Sequence, residues 1–462
     1  MLRRLLLVTT ALPTCLSAQT QARDLTPLVN RVFARWDSTT APGCAVGIDR
    51  PGAPRFTRAF GSADLEYDLP NRPETIFEAG SVSKQFTAAA TVLLALDGKL
   101  DLSDDVRKYV PELPDYGHKI TIRHLLNHTS GLRDWGEVAG LAGWPRETRV
   151  HTHDHVLDIL TRQRALNYPP GDRYSYTNSG YNLLAIIVSR VSGQSFATFS
   201  HERLFKPLGL TSTQWRDDFR RLVKGRAQAY AFSNRQWALE MPFENVHGNG
   251  GLLTTVGDLL TWTAMLDRPT PAWKPMVDSL HVRGILTKGD TITYARGLVV
   301  SSYRGVPMVD HSGATAGYRA ELGRFPGKGV AIAVLCNAAT ATPVGYASQL
   351  ADSLLGSALG PAVATPQRPR ADTAMAVRPE DLAAYTGTYY SPDAETTLEI
   401  SVANGALSLF RRPTTRVTLR PVARDAFAGF SSRVWFTRDA SGRVTALHVG
   451  GGRAYDVVFY RR

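Results

Sequence analysis

The chain has 462 residues, 43% hydrophobic and 20% charged, and its 53 Lys and Arg against 41 Asp and Glu leave a net charge of +12. That composition excludes a disordered, collagen-like or low-complexity chain, and the length exceeds one ordinary domain. Three cysteines without a C-x-x-C spacing exclude a disulfide scaffold and a zinc ribbon.

At the N-terminus, Arg3 and Arg4 form a positive region, residues 5–12 a short apolar run, and Leu16-Ser17-Ala18 a small-residue cleavage site. This reads as a secretory signal over 1–18, with cleavage after Ala18 or, as an alternative, after Ala22. The run falls well short of the ~20 residues a membrane-spanning helix needs, which makes an uncleaved anchor the weaker reading. No later stretch is long and apolar enough to span. The mature chain is therefore expected to be exported, periplasmic or secreted, with no transmembrane segment. Cys15 leaves with the signal, and Pro13-Thr14 before it matches a lipoprotein signal poorly. Cys44 and Cys336 can pair in an oxidising compartment. Both sit in apolar strand-like runs, and two buried free thiols are the expectation.

Residues 43–48 read as a strand bounded by Pro42 and Asp49-Arg50-Pro51, and 81–96 as an Ala- and Leu-rich helix stopped by Gly98. Thr121 is placed as the N-cap of an apolar-periodic segment. Residues 182–191 read as a helix closed by Gly193, and another helix starts near Val256. Residues 309–313, 319–325 and 329–336 read as successive strands, the last two joined by Pro326-Gly327-Lys328, and 343–355 as a helix. Helices and an antiparallel sheet in separate blocks give an α+β fold over 25–357. Residues 358–378, rich in Pro and Ala, read as a linker. Over 379–462 short period-two strands with frequent turns, Asn404-Gly405 the strongest, predict a small all-β sandwich or barrel.

The strongest chemical signal is Gly80-Ser81-Val82-Ser83-Lys84-Gln85-Phe86. On a helix, positions i and i+3 share a face, so Ser81 Oγ and Lys84 Nζ can meet. A serine hydroxyl needs a base, and a lysine supplies or orients one when burial favours its neutral form. The start of a long apolar helix also favours a developing anion. The second signal is Tyr174-Ser175-Tyr176-Thr177-Asn178-Ser179-Gly180-Tyr181. A phenol beside an ammonium can have a depressed pKa and act as general base, and the Asn178 amide offers donor and acceptor to a substrate amide. Read alone, this segment is more often an aromatic loop with a helix cap. The third is Asp310-His311-Ser312-Gly313-Ala314, where a strand edge lets a substrate backbone lie close and an N–H past the glycine can complete an oxyanion hole.

In this order these segments resemble the serine β-lactamase and penicillin-recognising enzyme superfamily, in the branch of class C β-lactamases, D-alanyl-D-alanine carboxypeptidases, D-aminopeptidases and related esterases. Supporting phrases are the run from Ile120 to Leu132, Lys206-Pro207-Leu208-Gly209-Leu210, and Gly250-Gly251-Leu252-Leu253-Thr254-Thr255. The resemblance implies a β-lactamase/transpeptidase-like domain, an antiparallel sheet flanked by helices plus an all-helical subdomain. It implies Ser81 as acyl-forming nucleophile, Lys84 and Tyr176 as the base pair, and Asn178 on the substrate amide. It also implies His311, Ser312 and Gly313 on an edge strand facing the substrate, and Ser81 and Ala314 as the oxyanion N–H donors. Class C β-lactamases carry Lys-Thr-Gly where this chain has His311-Ser312-Gly313. A permanent ammonium suits a β-lactam carboxylate better than a mostly neutral imidazole, so the departure points to carboxypeptidase- or D-aminopeptidase-like members. No residue corresponds to a class A deacylating glutamate. Residues 379–462, opening with Pro379-Glu380-Asp381-Leu382 and Tyr385-Thr386-Gly387-Thr388-Tyr389, are similar to the lipocalin-like β domains appended to such hydrolases.

His151-Thr152-His153-Asp154-His155 resembles a metallo-β-lactamase zinc motif but lacks a residue before the aspartate, and a capped, solvated helix start is expected instead. His124 and His128 are expected in core or supporting roles rather than on a metal. No nucleic-acid motif supports a nucleic-acid partner, and the charge is carried by scattered arginine. The expected function is an exported serine hydrolase without metal or cofactor, acting through an acyl-enzyme on small-molecule or peptide substrates, first of all D-amino-acid peptides. A carboxylic esterase and a weak β-lactamase are the alternatives, and a catalytically inactive ligand-binding protein is the non-enzyme rival. Association with cell-wall polymers is the one further partner the basic charge suggests.

Overall fold

The computed structural model describes residues 24–146, 148–361, 379–429 and 432–462. The signal over 1–18 and most of the linker over 358–378 lie outside the described residues. Six strands, β1 (Cys44–Asp49), β2 (Phe56–Phe60), β3 (Val299–Tyr303), β4 (Val306–Thr315), β5 (Tyr318–Phe325) and β6 (Val330–Cys336), form one antiparallel sheet in the order β3-β4-β5-β6-β1-β2. The N-terminal strands thus close a sheet whose other members lie some 250 residues later. β6 is buried at every position, as an unbroken apolar run requires.

The helices that concern the site are α1 (Thr26–Phe33), α2 (Ser83–Leu96), α3 (Trp135–Leu141), α4 (His153–Thr161), α5 (Asn178–Ser192), α6 (Val256–Asp267) and α7 (Pro343–Leu355). One sheet face packs on α1 and α7, through Val29, Phe33, Val46, Val334 and Leu350. α6 covers β1 and β6 on the other face, with α2 and α5 beyond it. α2 is buried from Ser83 to Leu94, so it serves as a core helix rather than an amphipathic surface one. No single helix among the described residues is long and apolar enough to cross a membrane.

Two expectations change. Cys44 stands directly opposite Cys336 in the β1–β6 register, and the two form a disulfide rather than two free thiols. Each lies in an apolar run, but 292 residues apart, so only the strand pairing brings them together. The histidine-rich segment does start a capped helix: Thr152 Oγ1 accepts from the His155 N–H, and the His155 ring accepts from the Thr152 N–H. It is only partly solvated, however: Asp154 is exposed while Thr152, His153 and His155 are half-buried. His151 is buried against Trp135, and the half-buried His153 packs on His247.

The C-terminal strands β7 (Gly387–Ser391), β8 (Thr396–Ala403), β9 (Ala406–Arg411), β10 (Thr415–Ala423), β11 (Ala426–Gly429), β12 (Ser432–Arg438), β13 (Val444–Gly450) and β14 (Val457–Arg461) close into a barrel. β14 pairs back onto β7, which removes the exposed edges an open sheet would have. Between a sandwich and a barrel, the fold is the barrel.

Candidate active site

Ser81 sits on a single 3-10 turn, Gly80–Val82, just before α2 rather than on the helix itself. Gly80 takes a positive φ of 52°, which turns the chain tightly enough to lay it on β4. A Cβ on Gly80 would come within 2.6 Å of the Ala314 N. From the other side, a Cβ on Gly313 would collide with the Ala79 carbonyl and reach 3.0 Å from the Ser81 N. The two glycines therefore let the N–H-bearing backbones of Ser81 and Ala314 meet. Ser83 locks the turn: its hydroxyl donates to the Gly80 carbonyl at 2.5 Å and accepts from the Leu252 N–H at 3.1 Å.

Lys84 points from the first turn of α2 into the same space and is fully buried. Its Nζ lies 3.1 Å from Ser81 Oγ, 3.0 Å from Asn178 Oδ1 and 2.6 Å from the Asn249 carbonyl. Two of these partners can only accept. In its neutral form the amine has two N–H donors for Asn178 and Asn249 and one lone pair for the Ser81 hydroxyl. Burial first, then the cations Arg453 and Arg146, push the Lys84 pKa well below the ordinary lysine value; Asp134 opposes them. The lowered pKa favours Lys84 as a base toward the Ser81 hydroxyl.

Tyr176 flanks this group, with Lys84 Nζ 4.8 Å from its ring centre. Its phenol does not have the depressed pKa expected beside an ammonium. Burial pushes the pKa up, outweighing the help of Ser81 and Arg453. Tyr176 and Asn178 are placed by the N-terminus of α5. Thr177 caps that helix by accepting from the Ser179 N–H at 3.2 Å. Asn178, its oxygen on Lys84, lines the cleft.

β3 covers β4 only as far as Asp310, opposite Val299, so from His311 to Thr315 the edge of β4 is free. Ser312 is exposed on that edge, whereas the His311 side chain turns inward. His311 Nδ1 lies 2.7 Å from the Ser312 carbonyl, which can only accept, so Nδ1 carries the proton. Nε2 then accepts from the Tyr294 hydroxyl at 3.0 Å. Burial and Lys84 push the His311 pKa down to about 4. Both ring nitrogens are used within the protein.

These residues surround one open cleft of about 740 Å³. Several groups there are absent from the motif reading. Asn249 holds Lys84 through its main-chain carbonyl, and its side chain accepts from Asn182 Nδ2 at 2.7 Å. Asp134 accepts from the Asn178 N–H at 2.7 Å and from Thr177 Oγ1 at 3.3 Å. His128 packs its ring between Tyr176 and Tyr294 and accepts from the Thr177 N–H. Arg453, from the barrel, lines the cleft. The only sequence signal for any of these was the Gly248-Asn249-Gly250-Gly251 loop and the family phrase containing His128. Among the described residues, no group of three or more His, Cys, Asp and Glu is placed to hold a metal ion.

Comparison with known proteins agrees with this architecture. The Beta-lactamase family profile matches residues 28–356. A penicillin-binding protein of Bacillus subtilis (strain 168) is 28% identical over 389 residues, 80% of this chain and 84% of that protein. A D-aminopeptidase of Gluconobacter oxydans (strain 621H) is 26% identical over 377 residues, 80% of this chain and 66% of the relative. Among solved structures, the octameric penicillin-binding protein homologue from Pyrococcus abyssi superposes with a TM-score of 0.64 at 24% identity, covering 94% of this chain and 99% of that one. That last similarity spans the barrel as well as the sheet domain. The chain belongs to the Beta-lactamase family, as a serine hydrolase.

Proposed function

We propose that this chain is an exported hydrolase that cleaves amide bonds in D-amino-acid peptides through an acyl-enzyme on Ser81. The observation that carries the reading is the fully buried Lys84 amine 3.1 Å from Ser81 Oγ, its pKa lowered by burial and two further acceptors in reach of its N–H groups. Lys84 takes the Ser81 proton as Oγ attacks the carbonyl carbon, and the oxyanion is met by the Ser81 and Ala314 N–H groups. Tyr176, held as a phenol, gives its proton to the leaving nitrogen and is recharged by the Lys84 ammonium. Water, deprotonated by the same amine, then releases the acyl group. The free edge at Ser312 offers the substrate main chain a strand partner, and Asn178 Nδ2 a donor for its amide carbonyl. Relatives named D-aminopeptidase support the D-amino-acid preference. The disulfide between Cys44 and Cys336 suits an exported chain.

The test is covalent labelling with a fluorophosphonate, read by intact mass and peptide mapping, followed by a panel of D-Ala-p-nitroanilide, D-Ala-D-Ala peptides, p-nitrophenyl esters and nitrocefin. The expected result is one adduct on Ser81, lost in Ser81→Ala, and fastest turnover of the D-amino-acid amides. No adduct would remove the acyl-enzyme reading, and fastest turnover of p-nitrophenyl esters would make the chain an esterase.

A further inference from the structure

The barrel reaches into the Ser81 cleft. The loop between β13 and β14 carries Gly451-Gly452-Arg453-Ala454, and Arg453 lines the same cleft as Ser81, Tyr176 and Ser312. Its guanidinium carbon lies 4.9 Å from the centre of the Tyr176 ring. Main-chain bonds fix the loop. Asp134 N–H and Asn167 Nδ2 both donate to the Arg453 carbonyl at 3.0 Å. The Arg453 N–H donates to Glu137 Oε2 at 3.0 Å, and the Tyr455 N–H to Asn167 Oδ1 at 2.9 Å. Asp134 thus holds Asn178 with its carboxylate and the barrel loop with its N–H. One buried residue positions both the Tyr176-to-Asn178 segment and the arginine.

The remaining charges around the cleft are occupied or suppressed. Arg146 makes a two-point ion pair with Glu244. Arg319 donates to the Ala316 and Tyr318 carbonyls at 2.7 Å. Burial pushes the Asp310 carboxyl up to about 6. His311, at the strand position where class C β-lactamases carry a lysine, is neutral with both nitrogens engaged. Among the described residues no carboxylate pairs with the Arg453 guanidinium. A fixed guanidinium on an aromatic face, open to a cleft and unpaired, is suited to a carboxylate.

We propose that Arg453, delivered by the barrel, is the specificity-determining cation of the Ser81 cleft, and that it binds a carboxylate on the part of the substrate lying against Tyr176. The barrel is then part of the binding site. The preferred peptide ends in a free carboxylate close to the bond that is cut. This rests on the acyl-enzyme reading of Ser81 given above.

The test uses the full chain and follows the rate of Ser81 labelling by a neutral fluorophosphonate. N-acetyl dipeptides ending in D-Ala, D-Leu or D-Phe compete, each as the free acid and as its C-terminal amide. The wild-type chain is expected to bind at least one acid about tenfold more tightly than its amide, as a charge-assisted hydrogen bond implies. Arg453→Met lowers that acid-to-amide ratio about tenfold, and Arg453→Lys restores part of it, because the cation rather than the loop is what the ratio reads. A ratio near one in the wild type, a ratio unchanged in Arg453→Met, equal losses for acid and amide, or no competition by any acid would each overturn the proposal. Absence of labelling in the wild type would instead remove the acyl-enzyme reading on which it rests.

Discussion

At the scale of single residues, the chemistry turns on how the Lys84 pKa is lowered. Its surroundings remove water, supply two acceptors for its N–H groups, and place two guanidiniums near enough to disfavour a third cation. Lys84→Met is expected to slow acylation of Ser81 by about 10²–10⁴-fold, the usual contribution of a positioned base, measured as the second-order rate of fluorophosphonate labelling. The sign of the pH dependence follows from the same causes. The amine works only above its pKa, and Arg453 lowers that pKa, so Arg453→Met raises it. The acidic limb of the labelling-rate profile should therefore move to higher pH in that variant; a limb that stays in place or moves down would contradict the assignment of Lys84. Ser81, Lys84, Tyr176 and Asn178 are legible in the sequence because each lies within a short motif whose spacing encodes geometry. Asn249 acts through its main-chain carbonyl, Asp134 through a contact made 44 residues away, and Tyr294 through a hydrogen bond to His311. None of these has a local signature. The raised pKa of Tyr176 was likewise unreadable, since it follows from burial rather than from neighbours in sequence.

At the scale of elements, the site is the meeting of a turn and a strand. The 3-10 turn bearing Ser81 and the free end of β4 touch through backbone alone, at Gly80 and Gly313. Gly313→Ala should force the two apart and spoil the alignment of the Ser81 and Ala314 N–H groups. The expected outcome is a fall of about 10²–10³-fold in turnover, the cost of losing one oxyanion donor, with KM changed far less; a loss confined to KM would place the strand in binding only. Elements with strong periodicity or clear punctuation were readable: 343–355 as a helix, the three strands over 309–336, and the Asn404-Gly405 hairpin. β2 and β3 were not. β2 is half-buried at four of its five positions, and β3 is never fully buried, so neither shows a clean alternation. The second of these omissions matters for function, because the point where β3 ends is what leaves the edge of β4 free from His311 to Thr315.

At the scale of the whole molecule, the barrel is held to the hydrolase domain by buried polar contacts. Arg133, two residues before α3, forms an ion pair with Asp393, which lies between β7 and β8, at 2.6 Å with side chains 4% and 8% exposed. Gln163 joins them, its oxygen accepting from Arg133 and its amide donating to the Asp393 carbonyl at 3.1 Å, while Arg133 also reaches the Asp456 carbonyl on the Arg453 side of the interface. Such a pair gives little net stability when intact, because desolvation offsets attraction, but removing one partner strands the other. Arg133→Met is therefore expected to destabilise the chain by about 3–5 kcal/mol in a denaturant titration, and Arg133→Met with Asp393→Leu to recover most of that loss. If the interface serves only to fasten the barrel, the double variant should be indistinguishable from the wild type in substrate discrimination. If the interface aims Arg453, restored stability will come without restored preference for acids over amides, since the Asp456 carbonyl has lost its guanidinium and the loop between β13 and β14 has lost one of its anchors. Measuring stability and acid-to-amide ratio on the same two variants separates a domain that is merely attached from one that completes the site.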